Sequence, residues 1–166
     1  MLKEHMENDT VIRLISHNDA DGISAAAVIA NALAEEDVQF HATLVPRLKE
    51  DMVNQLRSEK NDLFIFSDMG SQFIKEFNTY KHDVIVADHH QVNDTEAESN
   101  VVHVNPHLFG VDGSKELCGA GSAYLTIRDL DKKHLAYYAL VGAFGDMQGQ
   151  EGFTGVNKLI LDDALE

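Results

Sequence analysis

The sequence predicts an α/β domain: a doubly wound, mostly parallel five-stranded sheet flanked by helices, with a helical C-terminal third. Short apolar runs alternate with amphipathic stretches along most of the chain, which is the pattern of βαβ units. The 166 residues, 44% of them hydrophobic, are enough for one core and too few for two comfortable ones. We therefore expect a single domain over residues 1–166.

Individual elements follow from local pattern. Apolar runs predict strands at residues 10–15, 38–45, 63–66, 84–87 and 101–104. Alanine-rich or amphipathic stretches between them predict helices at 23–36, 49–60 and 71–80, the last beginning on the good N-cap residue Ser71. The last third predicts helices at 122–129, 133–141 and 157–164, and the acidic stretch 91–100 predicts a surface loop.

Composition limits the functions that this chain can have. The formal net charge is −15, from 28 acidic residues against 13 lysines and arginines. Proteins that hold nucleic acid with their own surface are usually basic, so a nucleic-acid substrate would require bound cations, a further domain or a partner.

The single cysteine, Cys118, excludes an internal disulfide and fits a reducing cytoplasm. We expect a cytoplasmic protein with no membrane partner, since no apolar run approaches the length of a span.

Acidic and histidine side chains follow several of the predicted strands and one helix. The carboxyl ends of parallel strands open into loops at one edge of a sheet, where functional groups gather. Four separate segments bring such groups to element ends: His17, Asp19 and Asp21; Asp68; Asp88, His89 and His90; and Asp146. Each segment alone is compatible with an ordinary turn, but their joint placement predicts one site.

The first of these segments, "SHNDADG", admits more than one interpretation. In an extended segment, alternate residues share one face, so His17, Asp19 and Asp21 would converge on one point. Gly22 would then allow the turn into the following helix. The alternative is a solvated turn with Asp21 as a helix N-cap. An EF-hand loop is excluded, because its twelfth position, where a bidentate glutamate is needed, would be Val28.

The residue types at the strand ends indicate which metal could bind. Carboxylates and histidines without cysteine describe a mixed oxygen and nitrogen site, which suits Mn²⁺, with Mg²⁺, Co²⁺ or Zn²⁺ possible, better than a structural zinc site. The number of ligands exceeds what one catalytic ion needs. We therefore expect a pair of ions, roughly 3.5–4 Å apart, as in two-metal phosphoryl-transfer sites.

The motifs "SHNDADG", "FSDMG", "VADHHQ" and "GAFGDMQG", in this order, resemble those of the DHH phosphoesterase superfamily. The stretches "NPHLFG" and "LCGAGSAY" are more specifically similar to the RecJ-like branch, which includes archaeal RecJ-like and GINS-associated nucleases. The resemblance covers about residues 11 to 150. It implies a five-stranded α/β domain that carries two Mn²⁺ ions. The implied ligands are His17 and Asp19 for the first ion, Asp21, His89 and Asp146 for the second, and Asp68 bridging both.

The same resemblance implies roles around the metal ions. His90 would contact the substrate phosphate, Asp88 would support it, and Gly121 and Ser122 would bind substrate. His17 lies two residues before Asp19, whereas many superfamily members have four, which departs from the family pattern. Family members also continue into a second, DHHA1-type substrate-binding domain, which we expect to be absent from these 166 residues.

Three functions remain open at this point. The first is a Mn²⁺-dependent exonuclease for single-stranded DNA or RNA in replication or repair, working by metal-assisted in-line hydrolysis of a phosphodiester. The second is a phosphoesterase for small substrates: an oligoribonucleotide, nucleoside bisphosphate, cyclic dinucleotide or pyrophosphate. The third is a scaffold or binding module of a replisome, with a component such as GINS as its partner.

Overall fold

Five strands form one parallel sheet. The structure, a computed structural model, describes residues 1–8, 10–93 and 96–166. The strands are β1 (Ile12–His17), β2 (Phe40–Val45), β3 (Leu63–Ser67), β4 (Asp83–Ala87) and β5 (Val101–Val104). All neighbouring pairs are parallel and their order is β2-β1-β3-β4-β5, which confirms the predicted α/β class. The order reverses between β1 and β3, so the carboxyl ends of these two strands flank a crevice of the kind where α/β sheets bind ligands.

Helices cover both faces of the sheet, as expected for a doubly wound fold. They are α1 (Leu2–Glu7), α2 (Ala20–Ala34), α3 (Glu50–Leu56), α4 (Ile74–Phe77), α5 (Gly119–Ile127), α6 (Ala136–Gly145) and α7 (Gly155–Leu165). In the part of the chain that the structure describes, no helix has the length and apolar character that crossing a membrane would require.

Each face of the sheet has its own hydrophobic core, because side chains alternate between faces along a strand. Leu63 and Ile65 of β3 face the core beneath α2, α5 and α6. Phe64 and Phe66 face the opposite core, where Phe66 stacks on Phe77 of α4 with ring centroids 4.3 Å apart. A central strand buried on both faces explains why residues 63–66 form an unbroken apolar run.

Several predicted boundaries differ from the structure. The predicted helix 71–80 is a short 3₁₀ turn followed by the single turn of α4, and its N-cap is Gly70, because the Ser71 hydroxyl contacts His103 instead. Helix α1 was not predicted. Helix α2 begins at Ala20, three residues earlier than expected. Within the predicted loop 91–100, residues 94 and 95 lie outside the described residues.

Candidate metal centre

The predicted site residues lie together at the carboxyl edge of the sheet. His17 ends β1, Asp68 follows β3 and Asp88 follows β4, so neighbouring strands bring them to the same edge. Asp146 comes from elsewhere, as the C-cap residue of α6. The crevice between β1 and β3 is thus flanked by His17 and Asp68.

Three groups of possible metal ligands occur among the residues that the structure describes. In each group, one ligand atom from every member lies within 4.8 Å of the others. The first group is His17, Asp19 and Asp68; the second is Asp21, His89 and Asp146; the third is Asp68, His89 and His90. Because Asp68 and His89 belong to more than one group, the three groups form one continuous centre.

Asp68 lies between the first two groups. Its Oδ2 is 3.7 Å from Nδ1 of His17, and its Oδ1 is 3.3 Å from Nε2 of His89. Its backbone has a φ of 55°, in the left-handed region that non-glycine residues rarely adopt. Such strain is retained where the surrounding structure requires a particular side-chain position. The two oxygens of one carboxylate therefore face two separate groups of ligands.

The opening segment does not have the geometry that its spacing predicted. Strand β1 ends at His17 and α2 begins at Ala20, so the two aspartates do not extend the strand. Asp19, not Asp21, is the N-cap of α2, and its Oδ1 accepts from Gly22 N at 2.9 Å. Asp21 lies in the first helical turn. The expected shared strand face is therefore wrong, and His17 and Asp19 fall in a different group from Asp21.

Asp21 is oriented by the N-terminus of α5. Its two oxygens accept from Gly119 N at 2.7 Å and from Ala120 N at 2.9 Å. A helix N-terminus stabilises a carboxylate by its unpaired N–H groups and its dipole. The close approach requires glycine at 119, because a Cβ there would clash with the Asp68 side chain. The segment "CGAGSAY", at the start of α5, thus holds Asp21 in place and packs against Asp68.

The imidazole of His17 is oriented so that a cation would complete its contacts. Its Nε2 donates to the carbonyl of Pro46 at 2.9 Å, which leaves Nδ1 without a proton in the neutral ring. That Nδ1 lies 2.6 Å from Oδ2 of Asp19. Within the described part of the chain, His17 Nδ1 and Asp68 Oδ1 are buried without a hydrogen-bond partner. These residues fit a metal ion, which would pair both atoms.

The electrostatics of the centre indicate an excess of buried negative charge. Burial raises the pKa of Asp68 to about 7, although the contact with His89 opposes the shift. Burial lowers the pKa of His89, but the contacts with Asp68 and the Gly113 carbonyl and the charge of Asp21 outweigh it and raise the pKa to about 10. Among the described residues, the ion-pair partners of Asp21, Asp68 and Asp146 are all histidines. In the absence of a metal ion, a proton on His89 therefore supplies positive charge at a position that also suits a metal cation.

Asp88 pairs with His90, a member of the third group, at the edge of the centre. Oδ1 of Asp88 accepts from Nδ1 of His90 at 2.7 Å, and its Oδ2 accepts from Ser71 N at 2.9 Å. Burial raises the pKa of Asp88, but hydrogen bonds from His90 and the backbone lower it to a net value below its usual range. The hydrogen bond to Asp88 raises the pKa of His90, whose side chain is 60% exposed.

Two cavities flank His90. One of about 280 Å³ is lined by His17, Asp68 and Asp88 on the side of the centre, with Arg47 and the amides of Gln72, Gln91 and Asn93 around it. The other, of about 380 Å³, lies against His89 and Asp146 and reaches His107. Arg47 and Gln72 were not singled out from the sequence. Arg47 follows the end of β2 at the same edge of the sheet, which is the signal that could have identified it.

Two predicted substrate contacts lie inside the protein. Gly121 is buried in α5, and Ser122 is 0% exposed, with its hydroxyl donating to the backbone carbonyl of Asp88 at 3.2 Å. In this structure both residues pack α5 beneath the centre. Their assignment as substrate-binding residues stays a prediction.

Comparison with known proteins gives a family and two informative relatives. Residues 11–143 match the family described as DHH family, N-terminal domain. An uncharacterized protein of Methanocaldococcus jannaschii is 38% identical over 160 residues, covering 93% of this chain and 37% of that protein. The single-stranded-DNA-specific exonuclease RecJ of Thermus thermophilus is 27% identical over 177 residues, covering 99% of this chain and 26% of that protein. The chain thus spans well under half the length of either relative.

Solved structures agree with the sequence comparison. RecJ of Thermus thermophilus in complex with Mn²⁺ is 27% identical, with a TM-score of 0.75 over 99% of this chain and 25% of that chain. The same protein has also been solved with Mg²⁺. CDC45 from Entamoeba histolytica, 13% identical, has a TM-score of 0.71 over 99% of this chain and 35% of that chain, a likeness that shows the fold alone. With its match over residues 11–143, this chain belongs to the DHH family and contains the family's N-terminal domain.

Proposed function

We propose that this chain is a two-metal phosphodiesterase that hydrolyses single-stranded DNA or RNA from an end, with Mn²⁺ as the resident ion and Mg²⁺ or Co²⁺ as substitutes. The observation that carries the proposal is the position of Asp68, whose two oxygens face different groups of ligands. A two-metal site needs a group between the ions that both can share. Structures of RecJ with Mn²⁺ and with Mg²⁺ support the choice of ions.

In the proposed centre, each ion has its own ligands. His17 and Asp19 would hold the first, Asp21, His89 and Asp146 would hold the second, and both would share Asp68. The unpaired His17 Nδ1 and Asp68 Oδ1 support this assignment, because each atom would gain a partner. When bound, the ions would stabilise negative charge on the phosphoryl oxygens and lower the pKa of a nearby water molecule.

His90 is proposed to contact the scissile phosphate. Its Nδ1–H donates to Asp88, and the raised pKa favours the doubly protonated ring, which has a second N–H to offer. The side chain is exposed and borders both cavities, so a phosphate at the centre lies within its reach. A positively charged donor at this position would stabilise charge that develops on the phosphoryl oxygens. Asp88 fixes the ring orientation and does not itself need access to substrate.

The cavity with Arg47 favours a nucleotide substrate over inorganic pyrophosphate. A guanidinium suits a phosphate, and the amides of Gln72, Gln91 and Asn93 offer donors and acceptors that a nucleobase can use. Leu48 and Met69 add apolar surface to the same wall. An inorganic substrate could accept hydrogen bonds from the amides but would make no use of the apolar groups.

A small-substrate phosphoesterase is the second candidate, and the charge distribution favours it. Arg47 is the one cationic residue, histidines aside, in the described lining of the two cavities beside the centre. A long single strand is usually held by a basic groove, whereas an oligoribonucleotide, nucleoside bisphosphate or cyclic dinucleotide needs fewer cationic contacts. The centre and its chemistry would be the same for either class.

A role as a scaffold alone is not favoured, because the chain has an acidic or histidine residue at every position where the family resemblance implies a metal ligand. Partnership with a replisome component such as GINS stays a prediction, as do roles in replication and repair. The likeness to CDC45 concerns the fold and identifies no partner for this chain.

Digestion of end-labelled single-stranded DNA and RNA in Mn²⁺ tests the proposal. We expect shortening from one end by the wild-type chain. Exonuclease activity should fall by more than about 100-fold in Asp68→Ala and in the double variant Asp88→Ala/His89→Ala. A factor of about 100 is the upper end of the loss caused by removing a residue that only supports a metal ligand. Asp51→Asn, an exposed change on α3, is the matched control and should keep full activity.

A dinucleotide, a cyclic dinucleotide and pyrophosphate, assayed in parallel, separate the two candidates. Cleavage of dinucleotides without shortening of oligonucleotides would favour the small-substrate enzyme. If the chain binds two Mn²⁺ ions yet cleaves none of these substrates, the proposed activity of this chain is wrong.

A further inference from the structure

Gln148 is a buried polar residue in the turn that carries Asp146. Its side chain is 7% exposed, although the neighbouring Met147 and Gln150 are exposed. The turn directs it inward: Met147 has a left-handed φ of 61°, and Gln148 N donates to the carbonyl of Ala143 at 2.8 Å. A buried amide at this position needs partners for its donors and its acceptor.

The Gln148 amide nitrogen contacts two parts of the candidate metal centre. Its Nε2 donates to Oδ2 of Asp146 at 2.7 Å and to the carbonyl of Gly113 at 3.0 Å. The same Gly113 carbonyl accepts from Nδ1 of His89 at 2.7 Å. One amide group therefore fixes the carboxylate of Asp146 directly and the imidazole of His89 through a shared acceptor.

The position of Gly113 shows how closely this acceptor is held. A Cβ at residue 113 would clash with the backbone carbonyl of His89 and would lie 2.8 Å from Nε2 of His107. Glycine is therefore required for the carbonyl to approach both donors. With Nδ1 of His89 donating to that carbonyl, Nε2 is the ring atom left to face Asp21 and Asp68, at 3.7 Å and 3.3 Å.

Asn157 of α7 determines which way the Gln148 amide points. Its Nδ2 donates to Oε1 of Gln148 at 2.7 Å, so the oxygen faces α7 and both N–H groups face the centre. Asn157 is 1% exposed, and its backbone N–H donates to the carbonyl of Glu116 at 2.8 Å. The orientation of the amide is thus fixed by a helix that contributes no ligand.

We propose that Gln148 is a positioning residue for the ion held by Asp21, His89 and Asp146, and that Asn157 orients it. This rests on the proposed function, because it assumes that these side chains bind an ion. Residues that hold ligand carboxylates and histidines in place typically contribute about 10- to 100-fold to metal affinity. The Gln148 side chain forms its hydrogen bonds with Gly113, Asp146 and Asn157 and none with His17 or Asp19, so its effect should be confined to one of the two ions.

Titration calorimetry with Mn²⁺ alone tests this inference. Gln148→Met keeps the length of the side chain and removes both donors. We expect it to weaken one Mn²⁺ site by about tenfold or more and to leave the other within about twofold of wild type. Gln150→Met, an exposed change two residues away, is the matched control and should leave both sites unchanged. Asn157→Leu should weaken the same site as Gln148→Met, by a smaller factor.

Thermal unfolding of the metal-free variants separates positioning from a general structural role. A structural role would lower the melting temperature and weaken both sites alike, which would overturn the inference. If Gln148→Met does not fold, Gln148→Asn, which keeps an amide that is too short to reach both acceptors, takes its place with the same expected result. Two unchanged affinities in a folded variant would also overturn the inference. If the wild-type chain binds no Mn²⁺, the proposed function fails as well.

Discussion

Two buried aspartates, Asp68 and Asp163, differ in what surrounds them. They are 2% and 5% exposed. Asp163 accepts from Arg128 Nε at 2.6 Å, from Arg128 Nη2 at 3.1 Å and from the Tyr124 hydroxyl at 3.0 Å. Asp68 has histidine partners and further carboxylates nearby. Burial alone therefore does not distinguish the two sites, but their partners do.

The pKa values of the two carboxyl groups shift in opposite directions. Hydrogen bonds from Arg128 lower the pKa of Asp163 to about 2, against an opposing effect of burial. Burial raises the pKa of Asp68 to about 7. A carboxylate with enough donors stabilises the fold, whereas a carboxylate without them favours binding of a cation. We infer that Asp163 joins α5 to α7 and that Asp68 serves the metal ions.

Variants of Asp68 and of Asp163 should differ most in metal binding. Asp68→Asn should lower Mn²⁺ affinity at both sites, since it removes the shared carboxylate. The free energy of unfolding of the metal-free chain should be at least as high as that of wild type, because a buried charge without a matching cation is removed. Urea unfolding with and without a chelator measures both effects. A metal-free chain that is strongly destabilised by Asp68→Asn would contradict the comparison.

Asp163→Asn should give the opposite result. The neutral amide weakens the hydrogen bonds from Arg128, and the free energy of unfolding should fall by about 2 kcal/mol, in the range for hydrogen bonds to charged groups. Mn²⁺ affinity should stay within about twofold of wild type, because Asp163 is in none of the three groups of ligands. Asp162→Asn, exposed and adjacent in sequence, is the control. Loss of Mn²⁺ binding in Asp163→Asn would show that the two regions are not independent.

The smallest expected effect is the pH dependence of the stability that Asp163 contributes. Because the folded-state pKa of Asp163 lies below its ordinary value of 3.8, its contribution is fully present above that value and lost as the pH falls toward about 2. The difference in unfolding free energy between Asp162→Asn and Asp163→Asn should therefore be constant from pH 7 to pH 5 and shrink below pH 4. Urea unfolding across this range measures it. A difference that stays constant down to pH 2 would contradict the assignment.

The sequence predicted the sheet better than the helices. The central strands β1, β3 and β4 coincide with apolar runs because a strand covered on both faces needs continuous apolar residues. Helix boundaries depend on capping and tertiary contacts, and these misled the prediction at Ser71, whose hydroxyl contacts His103 rather than capping a helix. The early start of α2 at Ala20 had the same cause, since Asp19 turned out to be its N-cap.

The residue types of the candidate site were predictable from the sequence pattern, whereas the grouping of its ligands followed only from the family resemblance. Asp68, His89 and Asp146 follow element ends, which the sequence pattern marks. The division of His17 and Asp19 from Asp21 depends on where β1 stops, and an assumed extended strand gave the wrong geometry. Arg47 could have been found by its place just after β2, whereas Gln148 carried no local signal, because its role depends on residues distant in sequence.

The number of Mn²⁺ ions that bind per chain tests the central claim most directly. Calorimetric titration of the metal-free wild-type chain should show two ions per chain. The same titration of Asp68→Asn should show both affinities reduced, because one carboxylate is shared. A wild-type chain that binds one ion or none, or an Asp68→Asn chain that binds two ions with unchanged affinity, would contradict the account.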